Sequence, residues 1–333
     1  MSAVTRATVT RRTVLAGAGT ASLAALLAAC SGASEGSASG AFRIIDDLGN
    51  EIVLDAVPKR IVVSQWLLPA FWEAGIEPVG VLTFMPWDEI SAYAEAGIDS
   101  SKVTVLSESY GEVNLEALVD LDPELIICDS YAGAESLWGF ADADMQAKAA
   151  AVAPIFAVSA ETEAVEGIER RIEIAKALGS DAAGTAETKA AFEAALTKVD
   201  AVAAEKSGLT VAVVGPSTDG LWVAPVADYA DLLLLQQHGI TFFDAPEAEL
   251  DTLSWELATE VTADVLLIDD RTTAEELATL AQNPTWNRVP AVAAGQAYAT
   301  WRFALPYSYG ALAGSYEQLL PSLEGANKLE VAA

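Results

Sequence analysis

Histidine and cysteine are nearly absent from this sequence, which contains one histidine and two cysteines in 333 residues. Proteins that capture a bare transition-metal ion usually bind it through imidazole or thiolate groups. His238 follows an apolar run and precedes Gly239, a position typical of a helix terminus rather than of a metal ligand. We therefore expect no metal site and no direct capture of zinc or manganese, although carboxylates alone can bind a hard cation.

Recognisable catalytic signatures are also lacking. The sequence contains no phosphate-binding loop and no His-Glu-x-x-His metal motif. A single histidine also leaves little scope for a nucleophile activated by a neighbouring base. We therefore expect a protein that is not an enzyme and needs no cofactor.

Basic residues are scarce as well. The sequence contains 18 lysines and arginines and 48 aspartates and glutamates, which gives a net charge of −30 at pH 7. A surface of this sign repels phosphate backbones and anionic lipid headgroups. We therefore expect no nucleic-acid partner. The charge says nothing about the fold.

The N-terminus carries the features of an export signal. Arg11 and Arg12 precede an apolar stretch at residues 14–29, which is shorter than the roughly 20 residues of a membrane-spanning helix. The stretch ends in Leu27-Ala28-Ala29-Cys30, which resembles a bacterial lipobox, and the paired arginines resemble a twin-arginine signal. These resemblances imply a signal peptide at residues 1–29, lipidation of Cys30 and an anchor at the extracytoplasmic face of the cell membrane.

Residues 30–41 are rich in serine, glycine and alanine and predict a flexible tether. Removal of residues 1–29 takes away three arginines and no acidic residue, so the mature net charge is −33. Once Cys30 is lipidated, Cys128 is the only thiol left, so no intramolecular disulfide can form. Its apolar surroundings predict a small core residue.

Short apolar runs alternate with helical stretches along the rest of the chain, which predicts parallel strands buried on both faces. The predicted strands lie at residues 60–64, 78–82, 103–106, 125–128, 155–158, 210–214, 220–223, 265–268 and 297–300. The mature length exceeds what one core usually serves. We predict an α/β protein of two Rossmann-like lobes with parallel-type sheets, joined by a single long helix. The predicted boundaries are 42–159 for the N-terminal lobe, 160–180 for the connecting helix and 181–330 for the C-terminal lobe.

An internal echo links the two predicted lobes. Residues 114–127 and 254–267 share one pattern at an offset of 140 positions, with Glu116 and Glu256 in equivalent places. Each copy has a candidate N-cap residue, a glutamate two positions later, a short helix and then a buried strand.

The chain resembles the iron-siderophore group of periplasmic-binding-protein-like carriers, which also includes cobalamin and haem binders. The resemblance covers residues 49–323 and is carried by the two glutamate-centred copies and by residues 57–63 (VPKRIVV), 75–81 (GIEPVGV) and 283–298 (NPTWNRVPAVAAGQAY). It implies a monomeric substrate-binding protein of an ABC importer that delivers a ferric siderophore to a membrane permease. It also implies that Glu116 and Glu256 dock onto permease arginines. Cobalamin and haem remain alternative ligands.

The ligand site is expected in the cleft between the lobes, on loops that follow strands. Aromatic rings can cover the faces of a siderophore, while arginine or tyrosine can meet its oxygens. The candidates are Trp66, Trp87, Tyr110, Trp222, Arg271, Trp301, Arg302, Tyr307 and Tyr309. The segment around Trp301 and Arg302 is the favoured one. Because few arginines fall near the cleft, a hydroxamate-type or mixed siderophore is favoured over a catecholate.

Overall fold

A computed structural model describes residues 41–243, 252–302 and 308–330. The predicted signal peptide, Cys30, the tether up to residue 40 and Tyr307 lie outside the described residues. No helix within the described ranges combines the length and the apolar character required to cross a membrane.

The chain alternates strands and helices over most of its length. Its strands are β1 (Phe42–Ile45), β2 (Glu51–Leu54), β3 (Ile61–Ser64), β4 (Gly80–Leu82), β5 (Thr104–Ser107), β6 (Leu125–Ser130), β7 (Ile155–Ser159), β8 (Thr210–Pro216), β9 (Gly220–Val223), β10 (Thr241–Phe242), β11 (Thr252–Ser254), β12 (Val265–Asp269) and β13 (Ala297–Trp301). Its α-helices are α1 (Leu68–Glu73), α2 (Ser91–Glu95), α3 (Leu115–Asp120), α4 (Ala143–Ala150), α5 (Ala164–Ala177), α6 (Thr185–Glu205), α7 (Ala230–Gln237), α8 (Ala274–Leu280), α9 (Pro290–Ala293) and α10 (Tyr309–Gly325). The nine predicted strands are all present.

The first sheet has the strand order β5-β4-β3-β6-β7, and every neighbouring pair is parallel. The chain therefore winds outward from β3 in one direction and then, from β6, in the other. This doubly wound order has its switch point between β3 and β6, where a crevice opens outside the carboxyl ends of the strands. The antiparallel hairpin of β1 and β2 precedes this sheet.

The second sheet has the order β11-β9-β8-β12-β13, and β10 pairs with β8. Strands β8, β12 and β13 are parallel, as predicted, whereas β9 runs antiparallel to β8 and to β11. The sheet is mixed because only residues 217–219 connect β8 to β9. A connection this short makes a hairpin, since a parallel crossover needs a dozen or more residues.

Three hydrophobic clusters form among the residues that the structure describes, and the alternation of side chains along each strand separates them. In β3, Val62 faces an outer cluster, while Ile61 and Val63 face a central one. In β8, Val213 joins the same central cluster, and Val214 faces a third cluster beneath the second sheet. One face of each sheet therefore shares a single apolar core, which contains parts of α5, α6 and α10.

Helix α5, the predicted connecting helix, follows β7 and buries Ile168, Ile172 and Ala175 in the central core. The chain then turns into α6, which packs along α10. A Cβ atom on Gly184, at the start of α6, would lie 2.4 Å from the carbonyl oxygen of Glu73. Glycine is therefore required for this turn to lie against the end of α1.

A buried ion pair joins α5 to the first sheet. Arg171 and Asp129, which lies near the end of β6, are each 1% exposed, and Nη2 of Arg171 lies 2.8 Å from Oδ1 of Asp129. The hydroxyl of Ser64, the last residue of β3, donates to Oδ2 of Asp129 at 2.7 Å. These contacts join the two strands at the switch point to α5, the helix that follows the first sheet.

Further polar contacts bridge the two sheets. Glu73 of α1 accepts hydrogen bonds from the backbone nitrogen of Gly310 at 2.9 Å and from Oγ1 of Thr188 at 2.6 Å. Arg302, directly after β13, forms a two-pronged ion pair with Glu95 of α2. The N-terminal helices are thus attached to α6, to α10 and to the edge of the second sheet.

The Asp129–Arg171 pair predicts an asymmetric response to two neighbouring substitutions. We expect Arg171→Ala to lower the free energy of unfolding by about 3–5 kcal/mol, because the carboxylate of Asp129 is left buried without its partner. Arg170→Ala, which removes a more exposed pair with Asp47, should cost no more than about 1 kcal/mol. Urea denaturation followed by tryptophan fluorescence measures both values, and equal losses would contradict the prediction.

Candidate functional site

A cavity of about 900 Å³ opens at the switch point of the first sheet. On the N-terminal side it is lined by residues that follow parallel strands, including Trp66 after β3, Phe84 after β4 and Tyr131 after β6. The start of α5, residues 227–231 before and within α7, Leu233 and Leu312 of α10 complete the lining. The cavity therefore lies in the cleft between the two sheets, where the topology predicts a ligand site.

Aromatic rings form a continuous wall on the N-terminal side. Phe84 lies edge-on to Trp66 and to Trp138, with ring centroids 5.3 and 5.7 Å apart. Trp138 also contacts Tyr131 at 5.7 Å and Tyr110 at 4.8 Å. Such edge-to-face and tilted contacts hold the rings in place, so they present a preformed apolar surface to the cavity.

Local hydrogen bonds fix the loops that carry these rings. The side-chain oxygen of Gln65 accepts a hydrogen bond from the backbone nitrogen of Phe84 at 3.0 Å. The backbone nitrogen of Trp138 donates to the backbone carbonyl of Asp129 at 2.8 Å. Gly111 has a φ of 78°, and a Cβ atom there would lie 2.5 Å from the Cβ atom of Ala141. The loop after β5 can therefore pack closely against the loop that follows Trp138 only with glycine at this position.

The floor of the cavity contains the charge of Asp129, which lines the space together with the aromatic wall. Burial raises the pKa of Asp129, while the guanidinium of Arg171 and the hydroxyl of Ser64 oppose that rise. The carboxylate is thus held by protein partners. The cavity floor is polar but already neutralised.

Asp231, in the first turn of α7, forms part of the opposite wall. It is 8% exposed, and its Oδ2 accepts a hydrogen bond from Nε1 of Trp301 at 3.0 Å. Burial raises the pKa of Asp231 to about 6, although the Trp301 bond acts in the other direction. Burial likewise raises the pKa of Tyr229 beside it to about 12, so this phenol is neutral at physiological pH.

Two of the nine predicted ligand residues lie at the aromatic wall. Trp66 lines the cavity. Tyr110 stands beside Trp138 and is 46% exposed. Their contact with a ligand stays a prediction that this position supports.

The favoured segment around Trp301 lies elsewhere. Trp301 and Tyr309 are each 1% exposed, so neither ring presents a face to the cavity. The ring of Trp301 packs between Tyr229 and Trp222 at centroid distances of 5.2 and 6.1 Å. The guanidinium of Arg302 forms an ion pair with Glu95. A run that ends a strand at the sheet edge was expected to reach the cleft. Here it is covered by α7 and α10 instead, so these side chains support the cleft wall from behind.

Trp87, Trp222 and Arg271 also lie outside the cavity lining. Trp87 packs against Tyr93 at a centroid distance of 4.6 Å and against the central core. Arg271 binds Asp269, with Nε 3.0 Å from both carboxylate oxygens. Tyr307 lies outside the described residues.

Several lining residues were not predicted from the sequence, namely Phe84, Asp129, Tyr131, Trp138, Tyr229 and Asp231. Phe84 and Tyr131 follow predicted strands by two and three residues, so the position after each parallel strand was the available signal. Trp138 lies on a longer loop, and no local pattern marks it. Asp231 falls on an apolar helix, where an acidic residue in the first turn resembles an ordinary N-terminal charge.

Glu116 and Glu256 are both exposed, and each precedes a buried central strand. Their local structures differ. Asn114 caps α3 by accepting from the backbone nitrogen of Ala117 at 3.0 Å, as predicted. Ser254 instead ends β11, and its copy continues as a turn and a short 3₁₀ helix at Ala258–Glu260. The predicted N-cap is therefore wrong for the second copy, because the pairing of β11 with β9 keeps Ser254 extended, and the short helix begins only at Ala258.

Asp231 predicts a pH-dependent stability. A carboxyl whose pKa rises from 3.8 to about 6 on folding stabilises the protein below pH 4, and this contribution is lost as the pH rises through 6. We expect Asp231→Asn, which keeps an acceptor for Trp301, to raise the free energy of unfolding at pH 7.5 by up to about 3 kcal/mol. The gain should vanish at pH 4.

Denaturant titrations at pH 4 and 7.5 measure this difference. Asp228→Asn is the matched control, because Asp228 is exposed and lies three positions earlier. It should change stability little at either pH. A gain for Asp231→Asn that is equal at both pH values would contradict the predicted titration.

Comparison with known proteins agrees with this architecture. A sequence profile of the periplasmic binding protein family matches residues 82–301. The Fe(3+)-citrate-binding protein YfmC of Bacillus subtilis is 25% identical over 283 residues, which cover 82% of this chain and 84% of that protein. The structure of DesE, a ferric-siderophore receptor protein from Streptomyces coelicolor, is 28% identical with a TM-score of 0.75, covering 87% of this chain and 100% of that one.

The fold also matches that of the siderophore-binding protein FhuD from Vibrio cholerae, with a TM-score of 0.61 at 21% identity over 80% of this chain and 98% of that one. The profile match spans most of the described chain, and the cavity lies at the switch point that this fold uses for ligands. The chain belongs to the periplasmic binding protein family.

Proposed function

We propose that this protein captures a ferric siderophore in the cleft between its sheets and delivers it to the permease of an ABC importer. The observation that carries the proposal is the aromatic-walled cavity of about 900 Å³ at the switch point. The proposal is supported by DesE, a ferric-siderophore receptor that is 28% identical to this chain. The protein acts as a carrier that releases its ligand unchanged.

The chemistry of the cavity suits such a ligand. A ferric siderophore is bulky and carries both apolar arms and coordinating oxygens. Trp66, Phe84 and Trp138 offer apolar faces to the arms. The Oγ1 atom of Thr162 is buried in the lining and has no hydrogen-bond partner among the described residues. This hydroxyl is therefore available to donate to an oxygen of the ligand.

A lipid anchor is part of the same proposal. Cys30, by its resemblance to a lipidated cysteine, would hold the mature chain at the extracytoplasmic face of the membrane, where a permease can receive the ligand. The tether that follows would allow the binding unit to move laterally over that partner.

Direct binding tests the function. We expect a ferric siderophore to quench the tryptophan fluorescence of the mature protein, because Trp66 and Trp138 line the cavity. Trp138→Leu should weaken binding by about tenfold and reduce quenching, since a large ring no longer covers the ligand. The panel contains ferric hydroxamates, ferric catecholates, ferric citrate, haem and cobalamin.

Trp255→Phe is the matched control, because Trp255 lies beside Trp286, outside the cavity lining. It should leave affinity unchanged. Tight binding of haem or cobalamin, with no response to any ferric chelate, would overturn the siderophore assignment and retain the carrier role.

We further propose that Glu116 and Glu256 contact arginines of the permease. Both carboxylates are exposed, and each has an exposed apolar neighbour on the same segment, Val119 at 56% and Leu257 at 43%. Charge-assisted contacts of this kind orient two proteins more than they hold them together. Two such points on separate lobes would fix the receptor over a two-subunit permease.

The docking proposal separates uptake from binding. We expect Glu116→Ala/Glu256→Ala to leave ligand affinity within about twofold and to reduce uptake by cells by about tenfold or more. Glu193→Ala/Glu205→Ala changes the net charge equally on the exposed side of α6, and it should transport normally. Normal uptake by the Glu116/Glu256 variant would refute the docking role.

A further inference from the structure

Acidic side chains outnumber basic ones in the lining of the cavity. Its described lining contains six carboxylates and no lysine or arginine, and the acids are Asp129, Glu161, Glu163, Glu166, Asp228 and Asp231. Only Asp129 has a guanidinium partner that lies beside the cavity. The aromatic wall supplies no compensating positive charge. The space that would hold a ligand therefore has a negative potential.

Arginines elsewhere in the neighbourhood do not offset this potential. Arg171 is bound to Asp129, Arg271 to Asp269 and Arg302 to Glu95, so each positive charge is matched by a carboxylate. Residues 244–251 and 303–307, which lie outside the described ranges, contain no lysine or arginine in their sequences. They can contribute no basic side chain to the cleft.

Acidic residues also lie at the beginnings of two helices beside the cavity. The beginnings of both α5 and α7 belong to the cavity lining. A helix N-terminus is partially positive and ordinarily favours an anion. Here Glu163 and Glu166 occupy the start of α5, Asp231 lies in the first turn of α7, and Asp228 ends the 3₁₀ helix just before it. An anionic ligand would therefore meet carboxylates at the two places where the backbone could have attracted it.

From this charge distribution we infer that the cleft selects iron chelates with a cationic arm and discriminates against anionic chelates such as ferric citrate or ferric tris-catecholates. The inference rests on the proposed siderophore-binding function. The chelate lies against the aromatic wall, and its cationic arm extends between the start of α5 and the start of α7. A linear tris-hydroxamate with a terminal amine fits this description, because three hydroxamates neutralise Fe³⁺ and the protonated amine is then the only net charge.

This assignment differs from what the curated relative suggests, since that protein is named for ferric citrate. Unit charges separated by several ångströms in a partly desolvated cleft interact strongly, whereas charges beyond about 8–10 Å are screened at physiological salt. We therefore expect the carboxylates at the cleft, rather than the net charge of the whole protein, to set the preference.

Three chelates that share one neutral ferric tris-hydroxamate core and differ in the charge of the terminal group test the inference. Ferric desferrioxamine B carries a protonated terminal amine, its N-acetyl derivative is neutral, and its N-succinyl derivative carries a carboxylate. We expect affinity to fall in that order, by about tenfold or more between the cationic and the anionic form. Raising the NaCl concentration from 20 to 500 mM should narrow the difference, because salt screens the carboxylates.

Substitutions in the cleft provide the second arm of the test. Glu163→Gln/Glu166→Gln should weaken binding of the cationic chelate by about threefold to tenfold and leave the neutral derivative within twofold. Glu193→Gln/Glu205→Gln removes the same charge outside the cavity lining and should change neither affinity. Melting temperatures of all variants are compared with that of the parent, so that loss of folding is not read as loss of binding.

The outcomes separate the two proposals. If the three desferrioxamine chelates bind equally, or if the anionic form or ferric citrate binds most tightly, the charge inference is overturned while the carrier function stands. If none of these chelates and no other ferric siderophore binds to the folded protein, the proposed function fails. Selective loss of the cationic ligand in the Glu163/Glu166 variant supports the inference.

Discussion

The pairing of Asp129 with Arg171 is the interaction on which the rest of the site depends. A carboxylate at the end of a central strand can be buried only if a positive charge reaches it, and here that charge comes from the helix between the two sheets. The same carboxylate binds Ser64 on the neighbouring strand. One buried charge therefore sets the position of α5, closes the switch point of the first sheet and forms the cavity floor.

The fold was largely readable from the sequence, and the site was not. Continuous apolar runs such as the one in β6 identify parallel strands because burial on both faces leaves no room for polar residues. The local sequence pattern also predicted α5 and the position of Trp66 after a strand. It did not locate Trp138, whose position depends on contacts with Phe84 and Tyr131, residues distant in the sequence.

Trp301 shows why the strongest local signal was misleading. An aromatic residue at a strand end, followed by arginine and a proline-containing loop, has the sequence features of a binding edge. Whether such an edge is open depends on what covers it, and α7 and α10 both pack there through Asp231 and Tyr316. These helices are far from Trp301 in the sequence, so the residues next to Trp301 give no sign that its ring is buried.

The contacts of Glu73 and Arg302 across the two sheets have a kinetic consequence. Because they attach α1 and α2 to α6, to α10 and to the strand edge, a large hinge motion would have to break several partly buried, charge-assisted bonds at once. The cleft is therefore already shaped before the ligand arrives. We therefore expect a ligand of the proposed cleft to associate in a single bimolecular step without a slow closing phase, so that differences in affinity between ligands lie in their residence times.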